Sequence, residues 1–248
     1  MATVAVLAAP PVEGLVLSDL AEGTPLNESE ATELYSAMLT DVCRSVQASG
    51  ADLLVNYRDS EQLAADVDSE QLLRDALTEA LDEPSAVRYE RQVGETFAGR
   101  AGNTATHLLE SEGERSVALI RPTTPFLGRQ QIGSAAMKIR NSDVVLGPTT
   151  EGRVYFAGFG EPIDFDAAYA PPAIETLTDR ARDAELSVDF LPQAPVVETP
   201  ADLADAVTQV RSRLRAERNV PLETATFIDT LGLYADRTNG ELAVSRTS

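Results

Sequence analysis

Short apolar runs alternate with longer amphipathic ones along almost the whole chain, and this alternation limits the fold more than any single motif. The runs Thr3–Ala9, Asp52–Tyr57, Ala86–Arg91, Ser116–Arg121, Asp143–Gly147, Val154–Phe159 and Ser187–Leu191 are mostly rich in Val, Leu and Ile, as strands buried on both faces should be. Between them, Ser29–Ser49 repeats apolar residues along one helical face, at Leu34, Ala37, Met38, Val42 and Val46. Ser69–Leu81 starts at a serine cap and stops before Asp82-Glu83-Pro84. Further helices are expected over Thr96–Glu110, Arg129–Arg140, Ala173–Ala184 and Ala201–Arg218. Strand and helix in alternation argue for one three-layer α/β/α domain with a mostly parallel sheet. One interval breaks the rhythm. Only Pro148-Thr149-Thr150-Glu151-Gly152-Arg153 separates two strand candidates, too short for a crossover helix, so one antiparallel strand is expected.

The chain has 248 residues, of which 43% are hydrophobic, enough for a sizeable core. Forty acidic residues against 20 basic ones give a formal charge of −20, and Lys138 is the one lysine. Excess carboxylate with almost no lysine points to a halophilic cytosol holding molar salt, where the Debye length falls to about 3 Å and like charges repel little. Such a surface is a poor partner for nucleic acid, which needs a basic footprint. No apolar run is long enough for a membrane span, and MATVAVLAA reads as a strand rather than a signal peptide, so a cytoplasmic protein is expected. One cysteine and one histidine exclude an intrachain disulfide, a cysteine-cluster metal site and a two-histidine site. Cys43 reads as a buried, inert thiol, His107 as a partly exposed helical histidine, and Asn27-Glu28-Ser29 as a helix-entry turn.

The end of the chain differs from the rest. Arg211, Arg213, Arg215 and Arg218 spread around a helix and read as a solvated face pairing with acidic groups. Pro221 opens a last helix, Leu222–Tyr234, and Arg237–Ser248 reads as a frayed tail. The expected division is a domain over 1–218 and a helical extension over 219–248, the last helix being free to cover a sheet edge or pack on a second subunit to form a homo-oligomer.

Several standard sites are absent: no phosphate-loop Gly-Lys-Ser/Thr, no G-x-G-x-x-G after a strand, no G-x-S-x-G elbow. What remains are loops at strand C-termini, where open α/β sheets bind ligands. Four carry information: Ala8-Ala9-Pro10-Pro11-Val12-Glu13-Gly14, Arg121-Pro122-Thr123-Thr124-Pro125, Gly147 to Arg153, and Pro195 to Pro200. Singly, each reads as a connector shaped by turn chemistry.

Taken in order, they resemble the glycosyltransferase-A-type (GT-A-like) nucleotide-diphospho-sugar transferases. The resemblance runs to an uncharacterised branch of glycosyltransferase-like proteins (domain of unknown function 2064), related to the molybdenum-cofactor and phospholactate guanylyltransferases. Where that branch has K-x-P-x-P-G-x-V-K-T-R-L after its first strand, this chain has Ala9 to Leu20; its L-Y-x-A-M-L-x-D is matched by Leu34 to Asp41. Its Q-x-G-x-D-L-G-x-R is met in part by Gln92, Gly94 and Arg100, and its I-G-S-D-C-P-x-L corresponds to Ile120 to Leu127. The most specific match is D-V-V-L-G-P-x-x-D-G-G-Y-Y-L-x-G with Asp143 to Gly158, and D-V-D-T-x-x-D-L follows as Val196 to Leu203.

The resemblance implies the same fold, a nucleotide or nucleotide-sugar as partner, and Mg²⁺ or Mn²⁺ as cofactor. It implies a nucleotide site at Ala8, Ala9, Pro10, Pro11, Gly14, Arg121, Thr123, Thr124 and Arg153, with Glu151 as the candidate catalytic acid or base. The departures are specific. The basic residues of the family's first loop are Ala9, Leu17 and Asp19 here, and its metal-holding aspartate is Thr123, which supplies no carboxylate, so no metal ligand is assigned. Two readings stay open. In one, Arg121 and Arg153 replace the metal in a nucleotidyl or glycosyl transferase. In the other, the fold persists as an inactive binding or regulatory module, with Arg121 and Glu151 pairing across a vacated pocket.

Overall fold

The computed structural model describes residues 3–63, 65–238 and 240–247. Met1 and Ala2 of the opening run lie outside them, as does Ser248. Seven strands form one sheet: β1 (Thr3–Ala8), β2 (Asp52–Tyr57), β3 (Arg88–Arg91), β4 (Val117–Ile120), β5 (Val144–Pro148), β6 (Val154–Phe159) and β7 (Val188–Phe190). Their spatial order is β3-β2-β1-β4-β6-β5-β7. All neighbours run parallel except β6, which lies antiparallel between β4 and β5 (Ile120 opposite Phe156, Leu146 opposite Ala157). The reversed strand expected from the six-residue connector is therefore present, and it sits beside the strand it follows. The strand expected over Ala86–Arg91 is shortened, because Pro84–Ala86 forms a 3-10 turn.

The helices are α1 (Ser18–Gly23), α2 (Glu28–Ser49), α3 (Ser60–Leu63), α4 (Ser69–Thr78), α5 (Phe97–Thr106), α6 (Arg129–Lys138), α7 (Ala173–Asp183), α8 (Pro200–Arg215) and α9 (Leu222–Thr230). Side chains alternate across a strand, so β1 feeds two cores. Val4 and Val6 meet Leu39, Val42 and Val46 of α2, Leu73 and Leu77 of α4, and Ile132 of α6. Ala5 and Leu7 face the other way, toward Ala101 and Ala105 of α5 and Leu177 and Ala181 of α7. Cys43 lies in the first of these cores and is fully buried, which pushes its thiol well above its usual range. Asn27 caps α2 with a reciprocal Glu30 bond, and Gly50 ends it in the left-handed conformation. Among the described residues no helix is long and apolar enough to cross a membrane.

The C-terminal segment corrects two expectations. Arg237–Ser248 is not a frayed tail: Leu233–Thr238 (β8) and Glu241–Arg246 (β9) pair antiparallel as a hairpin with Leu233 and Val244 buried. The one local signal for it is the turn-forming pair Asn239-Gly240, set among few apolar residues. Nor does the last helix cover a sheet edge. Ala225, Phe227 and Ile228 of α9 pack with Leu34 and Met38 of α2 and Val207 and Val210 of α8, so α2 is buried on two sides. Buried Asp41, on α2, accepts the Glu223 and Thr224 amides (3.0 and 2.8 Å) and the Thr224 hydroxyl (2.7 Å), fixing the start of α9. The arginine run also departs from expectation: Arg211 donates to the Leu233 carbonyl, and Arg213 lies 4.9 Å over the Phe126 ring. Both serve the packing of the hairpin and α8, and neither forms an ion pair among the described residues.

Candidate functional site

In this strand order the chain leaves β1 to one side for β2 and β3 and to the other for β4, so the crevice expected of an open α/β sheet lies at the C-terminal ends of β1 and β4. Because β6 is reversed, its first residues and the preceding turn come to the same end. The start of α8 arrives there too, since the Val197 amide donates to the Thr123 carbonyl at 2.8 Å.

These elements bring Arg121, Thr123, Arg153 and Glu198 together. Glu198 is only 17% exposed and is engaged on both oxygens: Oε1 accepts from the Thr123 hydroxyl (2.7 Å) and pairs with the Arg121 guanidinium at 2.9 Å, and Oε2 accepts from Arg153 (3.1 Å). Arg153 then closes a two-pronged pair with Asp202, both contacts 2.8 Å. Asp202 is also the third residue of α8, where its carboxylate caps the Glu198 and Thr199 amides while Thr199 caps Asp202. The partner expected for Arg121, Glu151, is replaced by Glu198. Glu151 is 71% exposed, its carboxylate 3.7 Å from Arg153, and its backbone is left-handed at φ 59. Thr124 is buried and serves its own turn, donating to the Arg121 carbonyl at 2.8 Å.

Electrostatics follow from the geometry. The Asp202 bonds hold the Arg153 guanidinium charged, well above its usual range, although burial opposes them. Burial pushes the Asp202 carboxyl up, but the Arg153 bond and charge outweigh it and leave the group below its ordinary 3.8. A depressed carboxyl gives stability that is full above its unfolded value and lost as pH falls through the folded one. The urea midpoint should therefore hold from neutrality down to about pH 4 and then drop, with a shallower drop in Asp202→Asn. An equally steep drop in that variant would show that the pair does not carry this dependence.

The first loop is more closed than a phosphate cradle requires. The Ala8 carbonyl accepts from the Arg58 amide (3.1 Å) and from Gln92 (3.2 Å). The Tyr35 hydroxyl bonds both the amide (2.9 Å) and the carbonyl (3.1 Å) of Ala9. Pro10 and Pro11 have no N–H, and the Val12 amide turns back to the Pro10 carbonyl at 2.9 Å. Gly14, at φ 75 and exposed, makes the return turn that few other residues would tolerate. Behind Arg121 the crevice floor is closed by Phe97 and Tyr169, packed edge to face at 4.9 Å, and the space left is about 10 Å³, room for one water. A ligand would lie across these loops rather than sink between them. A larger cavity, about 530 Å³ among Gly50, Ser116, Ile132 and Arg140, opens at the opposite end of the sheet, away from this chemistry.

Elsewhere, one described group of three side chains has metal-ligand types in reach of one another: Glu90, His107 and Glu112. Arg88 already bonds both carboxylates, so its guanidinium balances one of their two charges and occupies the oxygens a metal ion would need. His107 is half exposed at a single π-turn that ends α5, with Glu112 at 3.3 Å. Tyr35 and Asp202 escaped the sequence reading as site residues, although both stand in the quoted motifs. Thr199 followed three residues later by Asp202 is a capping pattern that could have marked the second.

Solved structures with this architecture include a protein from Desulfovibrio desulfuricans G20 provisionally named a nucleotide-diphospho-sugar transferase. It aligns at TM-score 0.76 and 20% identity over 93% of this chain and 96% of that one. A cytidylyltransferase from Leptospira borgpetersenii serovar Hardjo-bovis aligns at TM-score 0.51 and 8% identity, covering 93% and 94% of the two chains. A 4-diphosphocytidyl-2C-methyl-D-erythritol synthase from Anaerococcus prevotii DSM 20548 aligns at 0.50 and 13%, covering 85% and 96%. The fold is thus that of the nucleotide-diphospho-sugar transferases and cytidylyltransferases. No curated protein matches the chain. The sequence itself places it more narrowly: residues 31–168, which span Arg121, Glu151 and Arg153 but not the first loop or Glu198, match one family model, and the chain belongs to that family, Uncharacterized protein conserved in bacteria (DUF2064).

Proposed function

We propose that the chain binds a nucleotide or nucleotide-sugar across the β1–β4 crevice without a divalent cation, its charge handled by guanidinium groups. The observation that carries this is Glu198, whose two oxygens are taken by Thr123, Arg121 and Arg153. A hard dication needs carboxylate oxygens to itself. Here Asp202, which shares Arg153 with Glu198, is engaged on both oxygens by that guanidinium, and two guanidiniums would repel an incoming cation. These residues do not fit the metal that the fold family implies. The two arginines have different parts in this reading. Arg153 is committed to Glu198 and Asp202, whereas Arg121 gives one nitrogen to Glu198, is 34% exposed and stacks 5.5 Å from the Phe97 ring. The unbonded part of its fork can take phosphate oxygens in pairs.

The same network favours binding over turnover, because its carboxylates are neutralised and none is left as a buried base. One observation supports a transfer reaction beside it. Glu151 holds a left-handed backbone unusual for a non-glycine residue and presents an exposed carboxylate at the crevice rim, a place to orient an acceptor hydroxyl.

Thermal unfolding in molar KCl tests the proposal with UDP-, GDP- and dTDP-sugars and with nucleoside triphosphates, each with Mg²⁺ and with EDTA. A bound ligand at about a hundred times its Kd should raise the midpoint by roughly 5 °C or more, equally in both conditions. The shift should vanish in Arg121→Ala. No shift with any nucleotide sinks the reading, and a shift that requires Mg²⁺ sinks its metal-free part.

A further inference from the structure

We infer that Arg58 and Arg100 form a second anion site, for the phosphoryl oxygens of a small molecule, beside the first loop at the C-terminal ends of β2 and β3. Arg58 follows β2 directly, and its amide is held by the Ala8 carbonyl. Its guanidinium donates to the Gln62 carbonyl at 2.9 Å, while Nε is buried without a partner. Arg100 stands in the first turn of α5 and is 9% exposed. It donates to Gln92 Oε1 and to the Glu95 carbonyl, both at 2.7 Å. Every acceptor these two cations have is neutral.

Burial is what sets the two apart. Among the described residues neither Arg58 nor Arg100 has a carboxylate within 4.0 Å, and whereas most other arginines without one are exposed to water, Arg100 is buried and Arg58 half-buried. The adjacent Asp59 turns to Arg91 instead, at 3.7 Å. Gln62 and Gln92 join the two: the Gln62 carbonyl accepts from Arg58 at 2.9 Å, the Gln62 side-chain amide donates to the Gln92 carbonyl at 2.9 Å, and Gln92 Oε1 accepts from Arg100. Burial lowers the proton affinity of Arg100, and the Arg58 charge lowers it further. The Arg58 amide, bonded to the Ala8 carbonyl at 3.1 Å, sets the residue at the start of the first loop. A structural clamp explains Arg100, whose Gln92 partner ties Ala8 to Asn56 (3.2 and 2.7 Å). It does not explain a second cation beside it with a buried, unbonded Nε. Two uncompensated guanidiniums and the positive end of α5 together favour a multiply charged anion. Both are tied to Ala8, beside Ala9, the first position at which this loop lacks a basic residue.

Calorimetric titration at matched ionic strength tests this with two probes, inorganic phosphate and a nucleoside diphosphate, on the full chain. Arg58→Gln should weaken at least one of them about tenfold or more, and Arg58→Lys should weaken it less. Weakening of inorganic phosphate alone assigns a free anion. Weakening of the diphosphate in both Arg58→Gln and Arg121→Ala assigns a phosphate of the crevice ligand. Weakening of the diphosphate in Arg58→Gln but not in Arg121→Ala keeps this site and removes the crevice reading. Unchanged affinity for both probes in Arg58→Gln, or binding of neither by the unaltered chain, overturns the inference.

Discussion

A chain ending at Arg218 will not show a cooperative unfolding transition at the midpoint of the full-length protein. The removed segment carries Phe227, Ile228, Leu233 and Val244, all buried against α2 and α8. Each large apolar side chain buried contributes about 1.5–3 kcal/mol, and the faces they cover on Leu34, Met38, Val207 and Val210 would also meet water. That loss is comparable with the whole stability of an ordinary domain, roughly 5–15 kcal/mol. Asp41 would in addition lose the three donors that now hold it. Urea titration followed by circular dichroism decides the matter. A truncated chain that unfolds cooperatively at the original midpoint would make residues 1–218 an independent domain and the rest an appendage.

Arg153→Ala should cost about 3 kcal/mol, because removing one partner of a buried ion pair leaves the other uncompensated. Here it strands two carboxylates, Asp202 and Glu198, in one poorly solvated corner, with Arg121 as their remaining nearby cation. Arg153→Lys keeps the charge but not the two-pronged geometry, so it should recover only part of the loss. The readout is the urea midpoint at neutral pH, with the slope checked for constancy. A loss below about 1 kcal/mol in the alanine variant would put the pair among ordinary surface ion pairs and remove the structural role given to Arg153.

The sheet was legible because its strands are covered on both faces, which concentrates Val, Leu and Ile into short runs with sharp ends; β2 and β6 match the sequence reading residue for residue. The reversed strand was legible from connector length alone. The hairpin was not, since its apolar residues are few and stand among the polar residues of the chain's end. At the site, the loops could be picked out but not their pairings. Arg153 meets partners 45 and 49 positions away, and nothing local distinguishes those from Glu151, two positions before it. Pairing of that kind is settled by which strand ends face one another, and so Arg121 bonds Glu198 rather than the acid expected. Arg58 drew no notice in the sequence because what marks it is a missing counter-charge, visible only once its neighbours are placed.

The direction of β6 has a geometric consequence for the molecule. A parallel strand in that slot would begin at the opposite pole of the sheet and would need a long crossover to reach it. Running it backwards lets a connector of hairpin length carry Glu151 and Arg153 to the pole where β1 and β4 terminate. A third wall is thereby raised around the crevice with no added domain, and insertions in residues 148–153 would reshape that wall while leaving the strand pairing untouched.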